Sequence, residues 1–423
     1  MRQMKESGLP WIGIIPNTWN THPVYYYFME HKHKNHIGIE QNLLSLSYGN
    51  IIRKDINTNE GLLPENFNSY NIVKNGDIVL RLTDLQNDKK SLRTGLVKER
   101  GIITSAYVTL RPIKELSSTY FHYLLHAYDV SKVLYNMGSG VRQGLNYEEL
   151  CKLMLIEPPL DEQKRIADFL DAKCIEIDNL IADIEKQIES LEQYKRSTIA
   201  EAVTKGLNPK AELKDIGFEW IGCTPASWRF IKGKYMFAQR NSKGNNICLQ
   251  LLSPSQKFGV IPQSLLEELT TQNVVKLKDD TNLSAFKTIH VGDFCISLRS
   301  FQGGFEYCRY EGVVSSAYQV FYPTIKVCDD YYRFLFKDKG FIEKMNSYTI
   351  SFRDGKNIAF SDFGNTYIPY PPLEEQKEIA NYLDKQCAEI NECIAQKEKQ
   401  IETLQTYKKS LIFEYVTGKK EVV

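Results

Sequence analysis

The sequence lacks the features by which membrane proteins and secreted proteins are most easily detected. It contains no run of about 18 uninterrupted apolar residues, so no membrane-spanning helix is predicted. The N-terminal stretch MRQMKESGLPWIG has no apolar signal-peptide core. The nine cysteines include no CxxC pair, which favours reduced thiols in the core over a disulfide framework. We therefore expect a cytoplasmic protein without a membrane partner.

Excess charge and catalytic signatures are also missing. The net charge is +1, so any DNA-binding face must be local. There is no GxxxxGK[ST] motif for nucleotide phosphates. Glu157-Pro-Pro-Leu160 and Tyr370-Pro-Pro-Leu373 lack the aromatic residue that follows Pro-Pro in an amino-methyltransferase loop, and Gly138-Ser-Gly140 is too short for a cofactor loop. The chain could in principle be an enzyme, with a nuclease or methyltransferase domain repeated twice. A nuclease would need clustered carboxylates with a lysine, and a methyltransferase would need a cofactor loop, but the sequence shows neither.

A long amphipathic segment occurs twice in the chain. The first copy is Pro158–Gly206 and the second is Pro371–Lys419, and the two align without a gap. Each begins with Pro-Pro and an acidic first turn, which are signals for a helix N-terminus. Neither copy contains a further Pro or Gly before Gly206 or Gly418. A helix of about 43 residues is roughly 60 Å long, which is typical of a spacer.

The apolar positions of both copies predict a coiled-coil seam. They are three, four or seven residues apart and form a narrow stripe, so we expect the two helices to pair antiparallel. An ordinary amphipathic helix packed on a core is the alternative. The predicted seam consists of Ile166, Leu170, Ile177, Leu180, Ile184, Ile188 and Leu191 in the first copy, and of Ile379, Leu383, Cys387, Ile390, Ile394, Ile401 and Leu404 in the second.

The repeat extends beyond the helices. WIGIIPNTW at residues 11–19 returns as WIGCTPASW at 220–228, and these two stretches hold all four tryptophans. Three shorter motifs also return: NGDIVLR at 75–81 as VGDFCISLR at 291–299, SAYVTLRP at 105–112 as SAYQVFYP at 316–323, and RQGLN at 142–146 as RDGKN at 353–357. The predicted organisation is a globular domain at 1–157, a helix at 158–206, a second globular domain at 207–370, and a second helix with the tail at 371–423.

The globular domains contain both strand and helix signals. Short β-branched or aromatic runs predict strands at Ile72–Val79, Ala106–Leu110, Phe294–Leu298 and Tyr318–Tyr322. Ser118–Tyr135 and Asp330–Met345 have the pattern of helices, while Asn35–Asn71 gives no clear pattern. We therefore predict an α+β fold with a pseudo-two-fold internal repeat.

These motifs resemble the specificity subunit of type I restriction–modification systems. The resemblance rests on PPLDEQKRIADFLDAKCIEIDNLI and PPLEEQKEIANYLDKQCAEINECI, on the two WIG openings, and on the helix ends EAVTKG and EYVTGK. It implies two target recognition domains, each followed by a spacer helix, that bind an asymmetric bipartite sequence in double-stranded DNA with a fixed gap. It also implies no catalysis by this chain. The partners would be two methyltransferase subunits using S-adenosylmethionine and, in the full complex, two restriction and translocase subunits using ATP.

The candidate DNA contacts lie on polar loops that differ between the two halves. Residues 82–101 and 299–312 have almost nothing in common, which suits recognition of two different half-sites, although drift after duplication explains the same difference. Arg, Lys and Gln bind phosphates and base edges. For each candidate the alternative is a solvated surface charge. The candidates are the basic cluster Lys89, Lys90 and Arg93, the pair Arg299 and Gln302 beside a Gly-Gly turn, the recurring Arg142 and Arg353, and Lys356.

Two groups of histidines and four apolar positions have competing interpretations. His31, His33 and His36 suggest a metal, but a solvated basic loop is favoured because no second cluster completes a site. His122 and His126 have zinc-ligand spacing without a general-base glutamate, which favours a packed surface pair. No metal is therefore expected. The apolar positions beside the seam could dock methyltransferase subunits or pack on the globular domains; they are Phe169, Ile175, Ile199 and Tyr382.

Two further functions are compatible with the sequence. A coiled-coil adaptor protein would use the repeats for protein partners and would show no salt-sensitive, sequence-specific DNA binding. A restriction-inactive relative that directs methylation only would have the same sequence features.

Overall fold

The computed structural model describes residues 2–57, 66–83, 85, 92–137, 144–243, 250–270, 285–296, 304–348 and 358–422. The chain divides into two compact units. Unit 1 comprises Met1–Glu185 and Glu398–Val423, and unit 2 comprises Lys186–Lys397. Each unit contains one globular domain together with part of each long helix.

Unit 1 is built from twelve described strands and from two helices ahead of the first long helix. The helices are α1 (Ser118–Val130), α2 (Tyr147–Leu150) and the long α3 (Leu160–Lys205), whose second part belongs to unit 2. The strands are β1 (Met4–Glu6), β2 (Ile14–Pro16), β3 (Asn20–Pro23), β4 (Phe28–Glu30), β5 (Leu44–Ser47), β6 (Asn50–Arg53), β7 (Asn71–Val73), β8 (Ile78–Leu80), β9 (Thr94–Leu96), β10 (Gly101–Ile103), β11 (Val108–Pro112) and β12 (Met154–Glu157).

Unit 2 repeats the order of the strands but has more described helices. Its helices are α4 (Gln263–Leu269), α5 (Asp329–Leu335), α6 (Lys339–Ser347), α7 (Phe360–Asn365) and the long α8 (Leu373–Val416), whose last part belongs to unit 1. The strands are β13 (Leu213–Asp215), β14 (Cys223–Pro225), β15 (Arg229–Lys232), β16 (Phe237–Arg240), β17 (Leu252–Ser255), β18 (Gly259–Pro262), β19 (Lys287–Ile289), β20 (Phe294–Ile296), β21 (Phe305–Tyr307), β22 (Gly312–Val314), β23 (Gln319–Pro323) and β24 (Tyr367–Tyr370).

A four-stranded antiparallel sheet organises each globular domain. Its order is β4-β11-β8-β9 in unit 1 and β16-β23-β20-β21 in unit 2. Because side chains alternate along a strand, Ile78 and Leu80 of β8 enter the main core beside α1, while Val79 enters a smaller cluster on the opposite face. In unit 2, Phe294 and Cys295 of β20 divide between two clusters in the same way. The predicted α+β class is confirmed.

Two predicted elements are each broken by an aspartate. The predicted strand Ile72–Val79 is two strands, because the chain turns at Gly76 (φ +89°) and the Asp77 carboxylate accepts from the Lys74 amide at 2.9 Å. The predicted helix Asp330–Met345 is α5 and α6, because Asp338 caps a new helix by accepting from the Phe341 amide at 3.1 Å. Similarly, α1 ends at Val130 and is followed by a 3₁₀ turn at Val133–Asn136.

The glutamine after Pro-Pro fixes the start of each long helix. In unit 1, the Gln163 side chain accepts from the Ser117 amide and donates to the Pro158 carbonyl. In unit 2, Gln376 makes the same two bonds with Cys328 and Pro371. The Pro-Pro-Leu-x-Glu-Gln motif therefore joins each helix to the globular domain that precedes it.

Each globular domain also holds the C-terminal end of a long helix. In unit 1, the buried Tyr120 hydroxyl donates to the Val416 carbonyl of α8 at 2.9 Å. In unit 2, Tyr331 donates to the Val203 carbonyl of α3 at 2.9 Å. The two tyrosines occupy matching positions in the repeat, and so do the two valines.

The long helices pair antiparallel within each unit. In unit 1, Phe169 lies 4.5 Å from Tyr415 between ring centroids, and Asp178 pairs with Lys408 at 2.6 Å. In unit 2, Gln187 accepts from Lys397 at 2.6 Å, and Asn391 accepts from Lys195 at 2.7 Å. Numbers rise along one helix as they fall along the other, which confirms the antiparallel prediction. Among the described residues, no helix combines the length and apolar character needed to cross a membrane.

The predicted seam positions are buried or half-buried except for Leu180. Ile166, Leu170, Ile177, Ile184, Ile379, Leu383, Ile390 and Ile394 are buried, and Ile188, Leu191, Cys387, Ile401 and Leu404 are half-buried. Leu180 is 49% exposed, so its assignment to the seam was wrong. Alternating steps of four and three from Leu170 lead to Cys174, Ile177 and Ile181, and this heptad register leaves Leu180 outside the seam.

Candidate nucleic-acid interface

In unit 1, three strands meet at one edge of the sheet, which we call the loop edge. Leu80 at the end of β8 pairs with Thr94 at the start of β9 and with Val108 at the start of β11. Residues 81–93 therefore leave and rejoin the sheet at this edge. The Leu145 amide also donates to the Leu82 carbonyl at 2.9 Å, so the segment 138–144 ends at the same place.

Arg93 lies at the base of the first of these segments. Its side chain is fully buried, and its Nη1 donates to the carbonyls of Arg81 and Thr83 at 3.2 and 2.7 Å. We expected Arg93 to belong to an exposed basic cluster, and this expectation was wrong. The side chain turns inward because the backbone carbonyls of Arg81 and Thr83 provide buried acceptors for the guanidinium.

Unit 2 has a loop edge at the matching position. Ile296 at the end of β20 pairs with Phe305 and with Gln319, so residues 297–304 begin and end there. The Gln319 side chain donates to the Ile358 carbonyl at 2.8 Å and accepts from the Phe360 amide at 2.7 Å. The segment 349–357 therefore ends at this edge too.

The other seven candidate DNA contacts lie outside the described residues and stay predictions. The ends of their segments are nevertheless described, and in each unit two such segments meet at one loop edge. In unit 1 the segments carry Lys89, Lys90 and Arg142, and in unit 2 they carry Arg299, Gln302, Arg353 and Lys356.

The basic stretch after β4 is a loop in which Lys32, His33 and His36 are exposed, as expected, but part of it pairs with β7. The Ile72 amide donates to the His33 carbonyl at 2.7 Å, and Lys34 bridges to Asn71, so the stretch lies beside β7. Burial, followed by the charge of Arg111, lowers the pKa of His31. Lys32 remains largely exposed. In the described part of the chain, no group of three or more His, Cys, Asp or Glu residues could hold a metal ion.

His122 and His126 are half-buried side chains on α1, as a packed surface pair would be. They line a cavity of about 350 Å³ in unit 1, which Asp171, Cys174 and Lys408 also line. Burial lowers the pKa of His122 to about 4 and that of His126 to about 3, so both imidazoles are neutral at physiological pH. Lysine charges lower both values further.

Unit 2 contains a buried carboxylate next to its loop edge. Glu306 of β21 is almost fully buried and pairs with Lys337 at 2.6 Å. Burial raises the pKa of Glu306 to about 7, although Lys337 acts in the opposite direction. The carboxyl group therefore titrates near neutral pH, unlike an exposed glutamate.

Replacing Glu306 with Gln is expected to flatten the pH dependence of stability. A carboxyl whose pKa is raised by folding stabilises the fold below its unfolded value of 4.5, and this contribution is lost as the pH rises through about 7. The melting temperature of the wild type should therefore fall more between about pH 5 and about pH 8 than that of Glu306→Gln. The exposed Glu343→Gln serves as the control. Equal falls in all three proteins would show that Glu306 does not titrate in this range.

The four apolar positions beside the seam divide into two pairs. Phe169 packs on Tyr415 and against the core of unit 1, and Ile199 packs against the core of unit 2, as the alternative of packing on the globular domains requires. Ile175 is 60% exposed and Tyr382 is 39% exposed. Sequence reasoning missed Tyr194 and Tyr407, which match in the repeat and are both more than half exposed.

Comparisons with known proteins agree with this architecture. The family model for the type I restriction modification DNA specificity domain matches residues 41–193 and 232–403. The MjaX type I restriction enzyme specificity subunit of Methanocaldococcus jannaschii is 29% identical over 329 residues, covering 74% of this chain and 71% of the relative. The MjaVIII specificity subunit of the same organism is 26% identical over 369 residues, covering 83% and 81%.

A solved structure has the same fold. A chain from a study of "complex assembly and conformational transition of the type I R-M system" superimposes with a TM-score of 0.67 at 15% identity, covering 96% of this chain and 99% of that chain. This likeness supports the fold alone, whereas the family model matches most of the chain at the sequence level. The protein belongs to the family of type I restriction–modification DNA specificity subunits.

Proposed function

We propose that this chain binds double-stranded DNA at an asymmetric, bipartite target, with each globular domain contacting one half-site and no catalysis of its own. One observation carries the proposal: in each unit, two variable segments meet at the loop edge of a repeated scaffold. Strand ends hold such loops rigidly at their base, which suits a surface that must recognise a fixed pattern of base edges.

The two half-sites differ because the two loop edges differ. Unit 1 has a buried arginine at its edge, whereas unit 2 has Gly304 at the same place in the strand register. The segments that follow β8 and β20 also differ in length and composition. Two unlike reading surfaces on one chain make the target non-palindromic, in contrast to the palindromes that symmetric dimers bind.

The chemistry on DNA belongs to partner subunits. Two methyltransferase subunits with S-adenosylmethionine would modify adenine, and two restriction and translocase subunits with ATP would complete the assembly. The relatives named above are specificity subunits of restriction enzymes, which supports this division of labour. The exposed Tyr194 and Tyr407 support two equivalent docking sites, because identical exposed aromatics on both copies of a helix suit two copies of one partner.

Replacing Tyr194 or Tyr407 with Ser is expected to weaken methyltransferase binding. Loss of an exposed aromatic anchor costs an interface on the order of 1–3 kcal/mol while leaving the fold almost unchanged. Analytical ultracentrifugation should find two methyltransferase subunits on the wild type and one tightly bound subunit on each single variant. The neighbouring exposed residue in Gln193→Ser is the control. Retention of two subunits by both variants and by the double variant would exclude this docking surface.

The proposed function is tested by selecting DNA from a pool of random duplexes with the assembled methyltransferase complex. The expected result is one enriched motif with two different half-sites and a constant gap. Binding should also weaken steeply with salt, since phosphate contacts release counterions. An enriched palindrome, or binding without any enriched motif, would contradict the proposal and favour the adaptor interpretation.

A further inference from the structure

The buried guanidinium of Arg93 connects three parts of unit 1. Besides its bonds to the Arg81 and Thr83 carbonyls, its Nε donates to the Tyr135 hydroxyl at 3.1 Å. Its backbone amide donates to the buried Asp129 carboxylate of α1 at 2.7 Å. The residue thus joins both ends of the segment 82–92 to α1 and to the 3₁₀ turn that precedes residues 138–143.

Stability alone does not explain this arrangement. A fully buried arginine loses its hydration, and well-packed apolar residues are often at least as stabilising at such positions. A buried guanidinium does constrain the local geometry, because its coplanar N–H donors are satisfied by only a few arrangements of the surrounding acceptors. Arg93 therefore selects one geometry for the base of two segments at the loop edge.

Gln319 has the corresponding place in unit 2. Its amide bridges the Ile358 carbonyl and the Phe360 amide, at the end of residues 349–357. Its own backbone lies opposite Ile296, where residues 297–303 begin. It therefore holds the bases of both segments of unit 2 together, as Arg93 does in unit 1.

The two residues do not match in the repeat. By strand register, Arg93 corresponds to Gly304, and Gln319 corresponds to Val108. The scaffold is repeated, but the residue that fixes the loop bases comes from a different strand in each unit. This difference between the units suits two DNA-contacting surfaces of different shape.

We propose that Arg93 and Gln319 are positioning residues for sequence recognition, Arg93 for one half-site and Gln319 for the other. This inference rests on the proposed function. Neither side chain needs to contact DNA; each holds the described ends of two segments together at the loop edge, and discrimination between correct and incorrect bases depends on this spacing.

The test compares Arg93→Lys and Gln319→Met in the complex with the methyltransferase. Binding is measured to the selected target, to duplexes with either half-site altered, and to unrelated DNA. For each variant, we expect the ratio of affinities for the correct and the altered sequence of one half-site to fall roughly tenfold. The affected half-site should differ between the two variants. Affinity for unrelated DNA should stay unchanged, since phosphate contacts are retained.

Arg111→Lys is the matched control for general destabilisation. Arg111 makes a partly buried bidentate pair with Asp77 in the same sheet of unit 1, near the opposite end of β8 from the loop edge. The Arg111→Lys substitution should lower the melting temperature without changing discrimination at either half-site. Loss of discrimination by Arg111→Lys, or equal loss at both half-sites by either test variant, would show a structural role only and overturn the inference. A wild type that discriminates at neither half-site would instead overturn the proposed function.

Discussion

Removing one heptad from each long helix should shorten the gap of the DNA target by about three base pairs. The residues to delete are 181–187 and 394–400, which align in the repeat and each begin with a seam isoleucine. Seven helical residues rise about 10 Å, which equals about three base-pair steps of B-DNA. Because both deletions span one heptad, the Asp178–Lys408 and Lys195–Asn391 pairs keep their partners.

The measurement is DNA selection with the deleted complex beside the wild type. Both half-sites should be unchanged, since neither loop edge is altered, and only the distance between them should be shorter. Deletion of 181–187 alone is the control, because it breaks the register of the pair and should abolish specific binding. If the double deletion altered the half-sites and kept the gap, the helices would not be spacers.

Replacing Gly418 with Val is expected to destabilise unit 1 by about 2–5 kcal/mol. Gly418 follows α8 with φ +69°, a conformation that costs a β-branched residue roughly 1–2 kcal/mol. A Cβ there would also lie 2.5 Å from Pro16 and 3.0 Å from Trp19, and such overpacking costs about 1–3 kcal/mol more. The adjacent Lys419 donates to the Ile12 and Ile14 carbonyls, so the chain end cannot shift freely.

Gly8→Val separates the two contributions. Gly8 has nearly the same backbone angle (φ +74°), but a Cβ there meets nothing within 4 Å. Thermal unfolding should therefore show a clearly larger loss for Gly418→Val, and hydrogen exchange should increase at the end of α8. Equal losses for the two variants would mean that the fit of α8 against Trp19 contributes little to stability.

The two long helices and the internal repeat could be predicted because the same local sequence patterns occur twice in the chain. An uninterrupted amphipathic segment of more than 40 residues and the gapless alignment of Pro158 with Pro371 leave few alternatives for the helices. Leu180 shows the limit of this reasoning. Two positions, 180 and 181, both continue the three-and-four spacing, and only the register of the whole heptad separates them.

The short elements of the globular domains were harder to predict. The hairpin β5–β6 lies within a stretch that gave no clear pattern, because its strands have four residues each and mix polar with apolar side chains. The breaks at Asp77 and Asp338 depend on single side-chain bonds to backbone amides. Hydrophobic periodicity carries no information about such bonds.

The candidate site was predictable in outline but not by residue. Divergent loops between repeated motifs predict where recognition takes place, and the strand register within each unit brings the ends of these loops together. Arg93 was assigned to the surface because charge in a sequence does not reveal which way a side chain points. Its acceptors are carbonyls at positions 81 and 83 and a hydroxyl at position 135, and only the fold brings these together.

If this chain gives a methyltransferase complex its DNA target, adenine methylation in the host must depend on its gene. This dependence is measured by single-molecule mapping of methylated adenines in the host genome, with the gene present and after its removal. Methylation is expected at one split, non-palindromic motif, and it should disappear with the gene and return when the gene is restored. An unchanged methylation pattern, in a host where the methyltransferase subunit is expressed and active, would contradict this expectation.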